Sequence, residues 1–221
     1  MNLIQYLGAN WNVLLAEFGR HLAIVGISLP IAMLIGVPTG IAISRNKRVA
    51  RVVIYIASVL MTIPSLALFG FMVILLAPLR AGIGMPPAIV ALVIYSFLPV
   101  TRNTLVAIRG VNPAMIRAAR GMGMTNWQIL KRVRLPLAVP IIMAGVRNAA
   151  VLGVSITTIA YLVGARGLGY FIFSGLSRTR LDMVLIGAVT VALLGIATNY
   201  GLLQVEELLT PKGIKIERGE K

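Results

Sequence analysis

Four apolar runs, 22–43, 52–77, 137–163 and 183–203, constrain this 221-residue chain more than any other feature. A fifth begins near Pro87; its apolar part ends at Val100, and its helical character extends to Ile108. A tilted helix needs ~20 residues to cross roughly 30 Å of hydrocarbon, and each run is near that length. Hydrophobic residues make up 58% and charged residues 12% of the chain. A soluble domain carries about 25% charged residues, so a water-soluble globule is excluded. The expected fold is an all-α integral membrane bundle of five spans.

A formal charge of +15 invites a nucleic-acid reading. The cations, however, lie between the apolar runs and not on one amphipathic face, which is the pattern of membrane topology. With residues 44–51 cytoplasmic, the inner segments hold fourteen Lys and Arg. These are Arg45, Lys47, Arg48, Arg51, Arg109, Arg117, Arg120, Lys131, Arg132, Arg134 and the four from Lys212 onward. The outer segments hold five: Arg20, Arg80, Arg166, Arg178 and Arg180. This asymmetry places the amino terminus outside and the carboxyl terminus in the cytoplasm.

Residues 1–20 have neither the basic start nor the cleavage site of a signal peptide. Trp11, Leu14, Leu15 and Phe18 recur at helical spacing, which suggests a helix lying in the outer interface. The domain plan is an interfacial helix over 1–20, a five-span core over 21–205 and a cytoplasmic tail over 206–221. His21, the one histidine, follows Glu17 by four residues. It reads as interfacial, with no second ligand nearby to make it a metal site.

The missing residue types exclude whole mechanisms. The six acids are Glu17, Asp182, Glu206, Glu207, Glu217 and Glu220. None falls in the first four runs, so the intramembrane carboxylate of a proton- or sodium-coupled transporter is lacking there. With no cysteine, there is no thiolate metal site and no disulfide. The dipeptide Gly-Lys never occurs, so the phosphate-binding loop built on it is absent. A transporter made from this chain draws its energy from a partner. A passive pore or a purely structural membrane protein is the reading from a different class.

Residues 109–136 form the longest interval between spans, and local signals shape it. Asn112-Pro113 supplies an N-cap and a pre-set first helical residue. The helix over 113–121 presents Ala114, Met115, Ala118, Ala119 and Met122 as a small apolar surface. Gly121 and Gly123 supply a stop, and Thr125 with Gln128 fits a capping box that opens a second helix. That helix is expected to halt before Leu135-Pro136, because a residue preceding proline is pushed out of the α region. A solvated, purely topological loop would not need exposed Ala and Met; docking into a groove on another protein would.

Arg117-Ala118-Ala119, Gly123 and, after nine intervening residues, Val133-Arg134-Leu135-Pro136 resemble the EAA loop of ATP-binding-cassette importer permeases. Arg117 stands where an acid is usual and Val133 where Ile is usual. Ile63-Pro64-Ser65-Leu66-Ala67-Leu68, Ala119-Arg120-Gly121-Met122-Gly123-Met124-Thr125 and Gly164-Ala165-Arg166-Gly167-Leu168-Gly169 resemble the osmoprotectant branch. In the last of these, Arg166 replaces a glycine, and the segment reads as a tight return outside the membrane.

The resemblance implies the five-helix core of a type I importer permease in a prokaryotic inner membrane. It implies no enzyme activity and no cofactor on this chain, with ATP and Mg on a partner ATPase dimer. Arg117, Ala118, Ala119, Met122, Gly123, Leu135 and Pro136 would form the coupling segment seated in the ATPase. A second permease copy, identical or related, and an extracytoplasmic binding protein complete the implied assembly. The implied cargo is glycine betaine, carnitine or choline, with methionine or another amino acid as the alternative.

A path between two copies needs polar groups. The candidates are Thr62, Ser65, Tyr95, Ser96, Ser155 and Thr158, although Ser and Thr often bond back to their own helix. Arg102 and Arg147 lie toward the inner ends of their spans as inner-gate candidates. Two such cations and no carboxylate favour a zwitterion over a free cation. Pro30, Pro38, Pro64 and Pro99 favour kinks, and Gly36 with Gly40 favours close helix packing.

Overall fold

The computed structural model of the chain describes residues 3–210. A short helix, α1 (Leu3–Ala9), precedes α2 (Trp11–Ile43). At 33 residues, α2 is about 50 Å long. Residues 11–20, expected as a separate interfacial helix, are continuous with the first span. Pro30 and Pro38 each remove one backbone donor without ending it.

Asn46 caps α3 (Lys47–Thr62), its Oδ1 accepting from the Arg48 and Val49 N–H groups at 2.9 and 3.3 Å. The second apolar run is not one straight helix. α3 and α4 (Ser65–Leu76) meet at Ile63-Pro64 with a 98° bend. Ile63 precedes proline and takes extended angles (φ −63°, ψ 127°), as the clash with the proline ring requires. The Tyr95 hydroxyl then donates to the Ile63 carbonyl freed by the break.

A short turn leads into α5 (Met85–Gly110), the centre of the bundle, which α2 and α8 (Leu135–Thr157) flank. Between α5 and α8 lie α6 (Pro113–Gly121) and α7 (Asn126–Ile129). The chain closes with α9 (Gly169–Ser177) and α10 (Leu181–Leu209). Among the described residues, four helical stretches are long and apolar enough to cross a membrane: α2, α5, the continuous run Asn126–Thr157 and α10. Counting the bent α3–α4 pair as one span gives five.

Small residues let the backbones close on α5. A Cβ at Gly40 of α2 would fall 2.6 Å from the Thr104 Cβ. On the opposite flank, one at Gly145 of α8 would fall 2.5 Å from the Asn103 Cβ and 2.8 Å from the Pro99 carbonyl. Gly36 and Gly40 therefore do the packing their spacing implies. One apolar cluster gathers Phe69, Leu92, Phe171 and Met183, and a second gathers Val100, Ile108, Ala138 and Val146. Outward-facing Leu34, Ile74 and Leu193 remain exposed, as a surface solvated by acyl chains permits.

Candidate functional site: the helix pair outside the bundle

The α6–α7 unit is assembled from caps. Asn112 Oδ1 accepts the Ala114 N–H at 2.9 Å, and Pro113 fills the first turn, where no donor is needed. At the other end of α6, the Gly123 N–H bonds to the Arg120 carbonyl at 2.9 Å and the Met124 N–H to the Ala119 carbonyl at 3.1 Å. These two bonds define a Schellman stop, whose αL residue is Gly123 at φ 78°. Gly121 needs no positive φ and simply ends the helix. One residue on, Thr125 and Gln128 close a reciprocal capping box at 3.3 and 2.7 Å.

The second helix does not stop at Leu135-Pro136. A π-helical turn over Leu130–Arg134 joins α7 to α8, and the Leu135 N–H reaches the Leu130 carbonyl, five residues back. A widened turn loosens the approach of the Pro136 ring to the carbonyl four residues back, so the expected break becomes a bulge. Leu135 and Pro136 thus sit half-buried where the helix pair is welded to the bundle.

Ala119, expected on the docking surface, is turned inward at 1% exposure against Ile116 and Ile129. Its small side chain lets α6 lie close to α7. Outward-facing residues are Arg117, Ala118, Met122 and Gly123, together with Met115 and Trp127. Trp127, exposed at 66%, was not singled out by the sequence reading. Its place inside a capping box, one residue into a helix, is the signal that puts it on this surface.

Four of the six path candidates have their hydroxyls engaged within the chain. Tyr95 and Ser96 are buried in α5, and Tyr95 is spent on the Ile63 break. Thr62, Ser155 and Thr158 return their hydroxyls to their own backbone, on the carbonyls of Val59, Val151 and Ser155. Ser65 is half-buried in the first turn of α4, beside the bend. Arg102 Nη2 reaches the Ser58 hydroxyl at 3.3 Å. Arg147 is no lone cation: its Nη1 pairs with Glu206 Oε2 of α10 at 3.2 Å.

At the opposite end of the bundle, Glu17 and His21 are both buried inside the protein, at 1% and 0% exposure. An interfacial setting was expected for His21; instead its Nε2 lies 3.0 Å from the Val154 carbonyl. Glu17 holds the glycine-rich return. One carboxylate oxygen accepts the Gly167 N–H at 2.7 Å, and the other meets Arg20 at 2.7 Å and Arg166 at 3.0 Å. Gly164, Arg166 and Gly167 all have positive φ, at 81°, 60° and 86°. The return is as tight as the sequence implies, and Arg166 occupies a conformation that favours glycine.

The fold defines the class first: a multi-pass, all-α membrane protein carrying a capped helix pair outside its bundle. The model of the binding-protein-dependent transport system inner membrane component family matches residues 28–207, and the chain belongs to that family. The carnitine transport permease protein OpuCB of Listeria monocytogenes is 41% identical over 98% of this chain and 97% of its own length. The glycine betaine/carnitine/choline transport system permease protein OpuCB of Bacillus subtilis (strain 168) is 39% identical over 96% of each chain. A chain of the MetNI methionine ABC transporter, solved in inward-facing conformations, superposes with a TM-score of 0.82 at 22% identity. That match spans 92% of this chain and 99% of the other. The protein is a transport subunit of the inner membrane and not an enzyme, and its family's role calls for no cofactor on this chain. Such a component works with a substrate-binding protein.

Proposed function

We propose that two copies of this chain, or one copy and a close relative, form the passage of an ATP-driven importer for a small quaternary-ammonium osmoprotectant. Glycine betaine, carnitine and choline are the class. The observation that carries the cargo is near-full-length identity to permeases named for those compounds. The likeness to a methionine transporter, at 22% identity, speaks for the fold alone. ATP and Mg reside on a dimer of partner ATPases, and the exposed face of α6 and α7 seats in it. In this reading Ala118, Met122 and Gly123 touch the partner, whereas Ala119, Leu135 and Pro136 position them.

The Arg147–Glu206 pair alters the charge argument for cargo. Of the two inner-gate candidates, only Arg102 lacks an acid against it among the described residues, so a preference for zwitterions over choline loses half its support. Competition uptake decides the class. In vesicles holding the permease, the ATPase and the binding protein, excess betaine, carnitine or choline is expected to suppress labelled osmolyte entry. Methionine is expected to do nothing. Suppression by methionine alone would end the osmolyte reading.

The orientation, amino terminus outside and carboxyl terminus cytoplasmic, rests on the basic asymmetry. With no native cysteine, single cysteines introduced at the exposed positions Ile83 and Glu207 can be probed with an impermeant maleimide. Ile83 is expected to label from outside and Glu207 only after the membrane is opened. Labelling of both from one side would overturn the topology.

A further inference from the structure

Beneath α6, on the side away from its outward apolar face, lies a cleft of about 430 Å³. Arg45 enters it from the α2–α3 connection, Arg120 from α6 and Arg134 from the π turn, over a floor of Ile41, Ile129 and Leu130. Among the described residues no acid lines it. None of the three guanidiniums forms an ion pair there, whereas Arg20, Arg147, Arg166 and Arg180 all do. Arg45 and Arg120 are exposed and Arg134 half-buried, so three like charges from three separate elements face one opening, a setting that attracts an anion.

We propose that this cleft binds the phosphate-bearing headgroup of an anionic lipid. Position and chemistry favour a lipid over a free anion. The floor is apolar, and Ile41 and Ser44 lie where the first span ends, at the depth where headgroups meet a membrane protein. Arginine forks match phosphate oxygens two at a time, and the aliphatic floor accepts the glycerol and upper acyl carbons.

The cleft is separate from the surface assigned to the ATPase. On a helical wheel of 100° per residue, Ile116 lies about 100° to 160° and Arg120 about 140° to 160° from Met115, Ala118 and Met122. A lipid in the cleft would therefore brace α6 from behind while its front is docked. That consequence rests on the coupling reading above; the binding itself does not.

The test uses the full-length chain, purified in neutral detergent and read by native mass spectrometry. Phosphatidylglycerol and phosphatidylcholine with the same acyl chains are offered together. The chain is expected to retain the anionic lipid about tenfold more, from the attraction of clustered arginines. R120Q/R134Q is expected to abolish that preference, R45K/R120K/R134K, which keeps the charge but not the forks, to keep only part of it, and K131Q, outside the cleft, to keep all of it. Any other pattern overturns the proposal. Displacement of the lipid by millimolar inorganic phosphate would make this a free-anion site. Its loss on adding the ATPase subunit would assign the cleft to that protein. Lipid retention is read without transport, so failure here is distinguishable from failure of the importer reading.

Discussion

Gly123→Val is expected to lower transport in the reconstituted complex at least tenfold while the chain still inserts into the membrane. Gly123 closes the Schellman stop at φ 78°, a conformation that costs an ordinary residue roughly 1–2 kcal/mol and a β-branched one more. Nothing lies within 4 Å of a Cβ built there, so the penalty within this chain is conformational and not steric. Relief requires the Gly123 and Met124 N–H bonds to open, which unhinges α6 from α7 and leaves the bundle untouched. Asn tolerates the αL region, so Gly123→Asn separates two explanations. If the glycine serves the turn, Asn transports at close to the native rate. If it serves close seating of the ATPase, Asn fails as Val does. Normal coupled transport by the Val variant would remove this turn from the coupling mechanism.

What the sequence made legible was local. Asn112, Gly123, Thr125 and Gln128 act through bonds spanning five residues or fewer, and their spacing alone predicts the helix pair. Lipid-length runs gave the spans for the same reason. The failures are non-local or depend on degree. Pro64 reads as a kink or as a break, and a tyrosine on another helix, Tyr95, helps decide for the break. Pro136 was expected to end a helix, yet a turn five residues wide absorbs it. α6 carries small side chains on more than one side, so periodicity could not tell inward Ala119 from outward Ala118. Glu206, assigned to the tail, belongs to α10 and neutralises Arg147 from 59 positions away. Glu17 and Gly167 are separated by 150 positions, and no pattern in either neighbourhood announces their bond.

That buried bond and the glycine beyond it also set the most severe loss of folded protein. Gly169→Ala is expected to abolish the monodisperse peak of the full chain in size-exclusion chromatography. A Cβ on Gly169 would lie 1.9 Å from the Thr158 carbonyl oxygen and 2.8 Å from its carbon. Both atoms are backbone, so no rotamer change relieves the overlap, and Ala160 and Leu168 beside it are fully buried. Overpacking typically costs 1–3 kcal/mol, more where the neighbours cannot yield, and here the whole docking of α9 must shift. Glu17→Ala acts on the same return less drastically. It strips the Gly167 N–H of its acceptor and both arginines of their anion, a loss of about 2–4 kcal/mol, discounted because Arg20 and Arg166 are about half exposed. Its peak is expected to survive with a lowered melting temperature. Glu17→Gln, which keeps an acceptor for Gly167 but no charge for the arginines, should fall between it and the native chain. Gly19→Ala, with nothing within 4 Å of the added carbon, is the control and should behave as native. A Gly169→Ala chain that elutes like Gly19→Ala would mean that the return repacks at little cost. The seating of α9 would then have to come from its contacts with α10, where Gly175 and Gly187 press against Met183, Val184, Phe171 and Ile172.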